Sequence, residues 1–135
     1  MAHQNEDLVR QAYQAYTDGD MAALLDLVHP ELEWTFLDPA FENPEPATCH
    51  GRDQLRWALA RPARQGLRPE LEEVVASGDN VLVVTHTPGL DRQRAWPSDD
   101  RNYLVLTLDQ GRITRMRACR DGAEARAAAG LSDRG

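Results

Sequence analysis

The sequence predicts an α+β fold in which two helices precede a curved, mostly antiparallel sheet and a last helix closes the chain. Three observations carry that prediction. Apolar residues recur at helical spacing near the N-terminus, and five later runs alternate in polarity or are rich in β-branched residues. Residues 111–131, GRITRMRACRDGAEARAAAGL, read as a strand that breaks at Arg120-Asp121-Gly122 and restarts as an alanine-rich helix.

Asn5 with Glu6 and Asp7 supplies a cap and an acidic first turn, and Leu8, Ala12, Ala15 and Tyr16 follow at helical spacing up to Asp18-Gly19. Asp20 caps a second helix, carrying Leu24, Leu25, Leu27 and Val28, that stops at His29-Pro30. Leu32, Trp34 and Phe36 alternate with Glu33 and Thr35, as in a strand with one buried face. Pro39, Pro44 and Pro46 make residues 37–48 a loop over the mouth of the core, and a helix over 52–60 is ended by Pro62. Further strands follow at 69–76, 81–87, 102–108 and 112–120, the last two joined by a tight turn at Asp109-Gln110-Gly111. Within 81–87, Leu82, Val84 and His86 share one face and Val81, Val83, Thr85 and Thr87 the other, so both faces need cover. Residues 88–101 are long for a hairpin connection. Asp121 caps the final helix and Gly130 stops it.

A chain of 135 residues with 41% hydrophobic content is the size of one domain, expected to span 1–135. A net charge of -7 without a basic stripe argues against nucleic acid, whose binding draws on Lys and Arg at phosphates, and equally against an anionic membrane surface. No apolar run approaches membrane-spanning length and the start, MAHQNED, has no apolar leader, so a cytoplasmic location is expected. All 15 basic residues are Arg, which excludes lysine Schiff-base chemistry and a Walker-type phosphate loop. Cys49 and Cys119 form no CxxC pair, and His29, His50 and His86 fall in no HxH or HExxH spacing. Neither a metal nor a cofactor is expected.

Several landmarks recur in order: Gly19-Asp20 after the first helix, His29-Pro30-Glu31-Leu32-Glu33-Trp34 entering a strand, His50-Gly51-Arg52 opening a helix, Ser77-Gly78-Asp79 before Val81, and the GxI strand followed by the D-xx-EA-xxx-AGL helix. Over nearly its whole length the chain thereby resembles SnoaL-like proteins of the nuclear transport factor 2-like superfamily. The resemblance implies a cone-shaped sheet with helices on its concave face, a cavity lined by inward side chains, and a homodimer formed through the other face. It also implies a small apolar, cyclic or polyketide-like metabolite as ligand. The family spans isomerases, epoxide hydrolases, cyclases and non-catalytic binders, so the fold does not name the reaction.

Proton transfer in such a cavity needs a carboxylate whose pKa is raised by an apolar setting. Asp38, after the Trp34–Phe36 strand and before Pro39, resembles the base of ketosteroid isomerase, displaced by two residues. Counted back from Gly111, Tyr103 falls where that isomerase carries a protonated acid in its oxyanion hole. The isomerase's first-helix tyrosine falls at Ala12, with Tyr16 one helical turn away as the inward phenol and Tyr13 expected to reach water. Trp34, Phe36, Met116 and Ala118 are expected to line the walls. The Arg-Asp and Asp positions of limonene epoxide hydrolase fall at Thr85, Thr87 and Ala118, so hydrolysis of that type is disfavoured while these residues remain candidate lining. Arg120 shares the parity of Met116 and Ala118 and is a candidate anchor for an anionic group. Arg115 and Arg117 face the other way, where Glu70, Glu72 and Glu73 are candidate partners. The expected function is ligand binding with cofactor-independent isomerase or cyclase chemistry, and the alternative is a non-catalytic binding or dimerisation module.

Overall fold

In the computed structural model, residues 2–36, 47–64, 70–88, 101–119 and 121–131 are described. Helix α1 (Ala2–Asp18) and helix α2 (Met21–Asp26) lead into strand β1 (Val28–Phe36), followed by β2 (Ala47–His50), α3 (Gly51–Arg64), β3 (Glu70–Ser77), β4 (Asn80–His86), β5 (Arg101–Asp109), β6 (Arg112–Cys119) and α4 (Gly122–Ala129). The six strands form one curved, unclosed sheet in the order β2-β1-β6-β5-β4-β3, parallel only between β1 and β6.

Local chemistry explains several element ends. Asp20 Oδ1 accepts the Ala23 amide at 3.1 Å and Asp121 Oδ1 the Glu124 amide at 2.9 Å, which are the N-caps of α2 and α4. Gly130 ends α4 with φ 80°, a left-handed conformation natural to glycine. Gln110 (φ 51°) and Gly111 (φ 78°) form a two-residue turn with positive φ at both positions, the type whose twist matches a hairpin.

Four boundaries differ from the sequence expectation. Helix α1 begins at Ala2, so Asn5 does not cap it. Instead Asn5 Nδ2 donates to the Gly78 carbonyl (3.3 Å) in the turn after β3, and Glu6 Oε2 accepts the Ala76 amide (3.1 Å) at the edge of β3. His29 and Pro30 lie inside β1, where pairing with β6 is interrupted between Val28 and Glu33, so the missing Pro30 donor breaks no ladder bond. Part of the expected 37–48 loop is strand β2, paired antiparallel to β1 with Thr35 and Thr48 hydroxyls 3.0 Å apart. Helix α3 continues through Pro62 to Arg64, the proline removing one amide donor from the last turns without ending the helix.

The two sheet faces are covered separately. Helices α1, α2 and α3 pack on an inner core of Val9, Ala12, Leu24, Leu32, Leu55, Val81, Val83, Leu106, Leu108 and Ile113. Helix α4 covers Leu82, Val84, Val105 and Cys119 on the outer face, where Ala125 and Ala129 allow a close approach. The expected split of β4 is observed, with Val81 and Val83 inside and Leu82 and Val84 outside. Arg52 anchors α3 by donating from Nε (2.9 Å) and Nη2 (2.7 Å) to the Val28 carbonyl.

A bulge in β6 decides which residues face inward. Thr107 pairs with Arg115 and Leu108 with Ile113, leaving Thr114 as the extra residue, whose hydroxyl donates to the Thr107 carbonyl at 3.1 Å. Ile113 and Met116, three apart, therefore both belong to the inner core. The β6 arginines do face outward, but their partners differ from expectation. Arg115 pairs with Glu33 (3.6 Å) and Arg117 with Glu124 (3.7 Å), while Glu72 pairs with Arg101 (2.9 Å) and Glu73 with Arg126 (2.7 Å). Two strands separate β6 from β3, too far for the pairs first expected.

Candidate functional site

The inner face is filled at one end and partly open at the other. Along β1, Val28 and Leu32 are 1% and 0% exposed, whereas Trp34 and Phe36 are only partly buried. Strand β6 runs parallel and repeats the trend, from buried Ile113 to partly exposed Met116 and Ala118. Strand β5 runs the other way and reverses it, with Leu108 and Leu106 buried and Leu104 partly exposed. Register places Trp34 beside Met116, Met116 beside Leu106, and Ala118 beside Leu104. The partly exposed apolar side chains of three neighbouring strands thus share one end of the inner face.

Trp34 and Phe36 meet at that end with ring centroids 5.6 Å apart and planes tilted by 52°. The Trp34 indole Nε1 is shielded from solvent and has no hydrogen-bond partner among the described residues. A buried donor left in that state costs about 1–3 kcal/mol. Thr85 and Thr87 are 1% and 4% exposed on β4 and just beyond it. No described strand position that register assigns to the inner face is charged: Leu32, Trp34 and Phe36, then Ala47 and Cys49, Leu71, Val74 and Ala76, Val81, Val83 and Thr85, Asn102, Leu104 and Leu106, Met116 and Ala118.

The sequence-predicted residues divide into groups. Trp34, Phe36, Met116, Ala118 and Thr85 fall on the inner face, and Tyr16 packs against the same core. Tyr13 packs there too, contrary to the expectation that it reaches water. Burial raises its phenol well above the usual range, with Tyr16 adding to the shift, and burial raises Tyr16 as well. Tyr103 is not brought together with them. It pairs with Val84 and Cys119 on the outer face, packed in the α4 core, because counting from the hairpin locates the strand but not the face that α4 covers. Asn102, opposite Thr85, and Cys49, opposite Trp34, take inner-face positions that the sequence reading missed. Asp38 and Arg120 lie outside the described residues.

Tyr103 instead lines an outer cleft of about 430 Å³ with Glu72, Glu73, Leu82, Val84, Arg101, Gly122 and Arg126. Its acids and bases are matched pairwise: Arg101 Nε reaches both Glu72 oxygens at 3.1 and 2.9 Å, and Arg126 reaches Glu73 at 2.7 Å. Such internal pairing leaves little field to attract a charged ligand. Among the described residues, no group of three His, Cys, Asp or Glu side chains is placed to hold a metal ion. No described helix is long and apolar enough to cross a membrane.

The model of the SnoaL-like domain family matches residues 9–116, which span the inner face from α1 to Met116. The chain belongs to that family. Solved structures agree in fold. Bal32a, from a soil-derived mobile gene cassette, is 22% identical with a TM-score of 0.68, covering 95% of this chain and 97% of its own. A candidate polyketide cyclase from Sinorhizobium meliloti is 23% identical with a TM-score of 0.63, covering 84% and 94%. TerC, co-crystallised with polyporic acid, is 20% identical with a TM-score of 0.64, covering 93% and 97%. No curated protein matches the sequence. Within this SnoaL-like chain, Thr85 and Ala118 hold inner-face positions where the epoxide-hydrolase resemblance would need charged groups.

The buried thiol beneath α4 gives the family member a pH-dependent stability. Burial pushes Cys119 up from 9.0 to about 11, with Glu124 and Asp121 adding to the shift and Arg117 opposing it. The folded chain therefore keeps a proton that the unfolded chain releases first. The stabilisation is complete below pH 9 and is lost as pH rises towards 11. Urea midpoints of the wild type are expected to fall more steeply across this window than those of Cys119→Val. Equal slopes would contradict the assignment.

Proposed function

We propose that the protein binds a small, largely apolar cyclic or polyketide-like metabolite at the partly open end of its inner face. The observation that carries this reading is the shared gradient along β1, β6 and β5, in which apolar side chains pass from fully buried to partly exposed at the same end. Trp34, Phe36, Leu104 and Met116, grouped and incompletely covered, form an apolar surface of the kind that a ligand buries. The candidate polyketide cyclase and the TerC–polyporic acid complex among the similar structures favour a ligand of this kind. Native mass spectrometry of the purified chain tests the reading. A retained small molecule is the expected result, and a bare chain that also ignores aromatic ring probes would remove it.

If the site is catalytic, the proposed reaction is cofactor-independent proton transfer. Asp38 is the proposed base, and Tyr16 supplies a phenol that burial keeps protonated and able to donate to a developing enolate. With the retained molecule as substrate, Asp38→Asn should reduce turnover by at least about a hundredfold while leaving binding within about twofold. Unchanged turnover would remove Asp38 from the mechanism.

A non-catalytic binding module is the second reading, favoured by the uncharged inner-face positions of the described strands. A cytoplasmic location belongs to the proposal as well. Cys49 and Cys119 are free and lie on opposite faces of the sheet, as suits a reducing compartment. The homodimer implied by the family resemblance is retained as a proposal, with sedimentation equilibrium as its measurement.

A further inference from the structure

We propose that Trp34 determines specificity for ligands presenting an oxygen acceptor, a ketone or quinone carbonyl being the simplest, held in line with its indole N–H. This inference rests on the ligand-binding reading of the inner face and adds the chemical group that is recognised.

The argument begins with a donor. Indole Nε1–H can donate but cannot accept, and in this chain it is shielded from solvent with no acceptor among the described residues. Its neighbours provide none by register: Trp34 pairs with Met116 on one side and Cys49 on the other, neither of which offers a strong acceptor. The thiol of Cys49 is itself held protonated by burial, against a weaker opposing effect from its own backbone hydrogen bond.

The surroundings restrict the ligand further. The Phe36 ring lies 5.6 Å from the Trp34 ring, and with Met116 beside Trp34 the walls are two aromatic rings and a polarisable thioether, side chains that favour a flat unsaturated ring. The uncharged inner-face positions of the described strands favour a neutral oxygen over a carboxylate or phosphate. A planar ring bearing a carbonyl satisfies both the walls and the indole. A hydrocarbon ring satisfies only the walls, and a site with an unanswered donor discriminates against the analogue lacking its partner.

The test compares 9-fluorenone with fluorene, rings of the same skeleton in which a carbonyl replaces one methylene, in titrations of wild type and Trp34→Phe. The wild type should bind the ketone about tenfold more tightly. Trp34→Phe should abolish that preference: the smaller ring weakens both ligands, and their affinities should fall within about twofold of each other. If the variant fails to fold, the indole N–H resonance of the wild type gives the same answer, shifting downfield with fluorenone and not with fluorene. A ketone preference that survives in Trp34→Phe, equal affinity for both rings in the wild type, or an unmoved indole proton at saturation would overturn the proposal while leaving the ligand-binding reading in place. Binding of neither ring would remove the ligand-binding reading and this inference with it.

Discussion

Ala118→Trp is expected to abolish ligand binding, weakening it by at least about a hundredfold (~2.7 kcal/mol), while the chain stays folded. Ala118 stands on the inner face beside Leu104, in the partly exposed part of the strand gradient. A large side chain there can extend into the proposed ligand space without being forced into the packed end around Leu106, Leu108 and Ile113. Competition titrations and thermal melts of the same preparations separate loss of binding from loss of structure. Retained affinity in a folded Ala118→Trp protein would place the ligand elsewhere, the outer cleft around Tyr103 being the alternative.

Leu32→Ala should produce the largest loss of stability, about 2–5 kcal/mol by equilibrium urea unfolding. Leu32 is 0% exposed at the closed end of the inner face, in one core with Leu55 of α3 and Val9 of α1. Truncation removes apolar burial and leaves a void that the surrounding helices and strands fill only in part. A loss below about 1 kcal/mol would mean that this end of the core collapses freely, contrary to the packed end described.

The sequence disclosed features governed by local chemistry. Asp20, Asp121 and Gly130 work within one helical turn, and the Gln110-Gly111 turn within one hairpin, so their placement follows from residue type. The face alternation of β4 was equally legible, because both of its faces carry apolar side chains. What escaped depended on partners distant in sequence. Glu6 was read as part of an acidic first turn, but its carboxylate serves the Ala76 amide 70 positions away. Arg115 was assigned acidic partners on β3, but the strand order places Glu33 within reach instead. Counting back from Gly111 matches Tyr103 to an oxyanion-hole position, yet its side is fixed by its pairing with Val84 and Cys119 and by the packing of α4.

The inner-face positions of the apolar candidates were legible in the sequence, and the polar details were not. Period-two alternation located Trp34 and Phe36, and the resemblance located Met116 and Ala118. The neighbouring position of Cys49 could not be read from ATCH, four residues following a proline-rich stretch. Tyr13 was misjudged because three-dimensional packing widens the buried face of α1 beyond the stripe of Leu8, Ala12, Ala15 and Tyr16. That the Trp34 indole lacks an acceptor among the described residues is a property of the folded sheet alone.

The central claim is that ligand enters the inner face, and methyl NMR tests it most directly. The chain holds three methionines, of which Met116 lies beside Trp34 on that face, while Tyr103 marks the outer cleft. Titrating protein labelled at methionine methyls and tyrosine rings with 9-fluorenone should shift the Met116 methyl saturably and leave Tyr103 unmoved. A shift at Tyr103 with Met116 stationary would contradict the account and assign binding to the other side of the sheet.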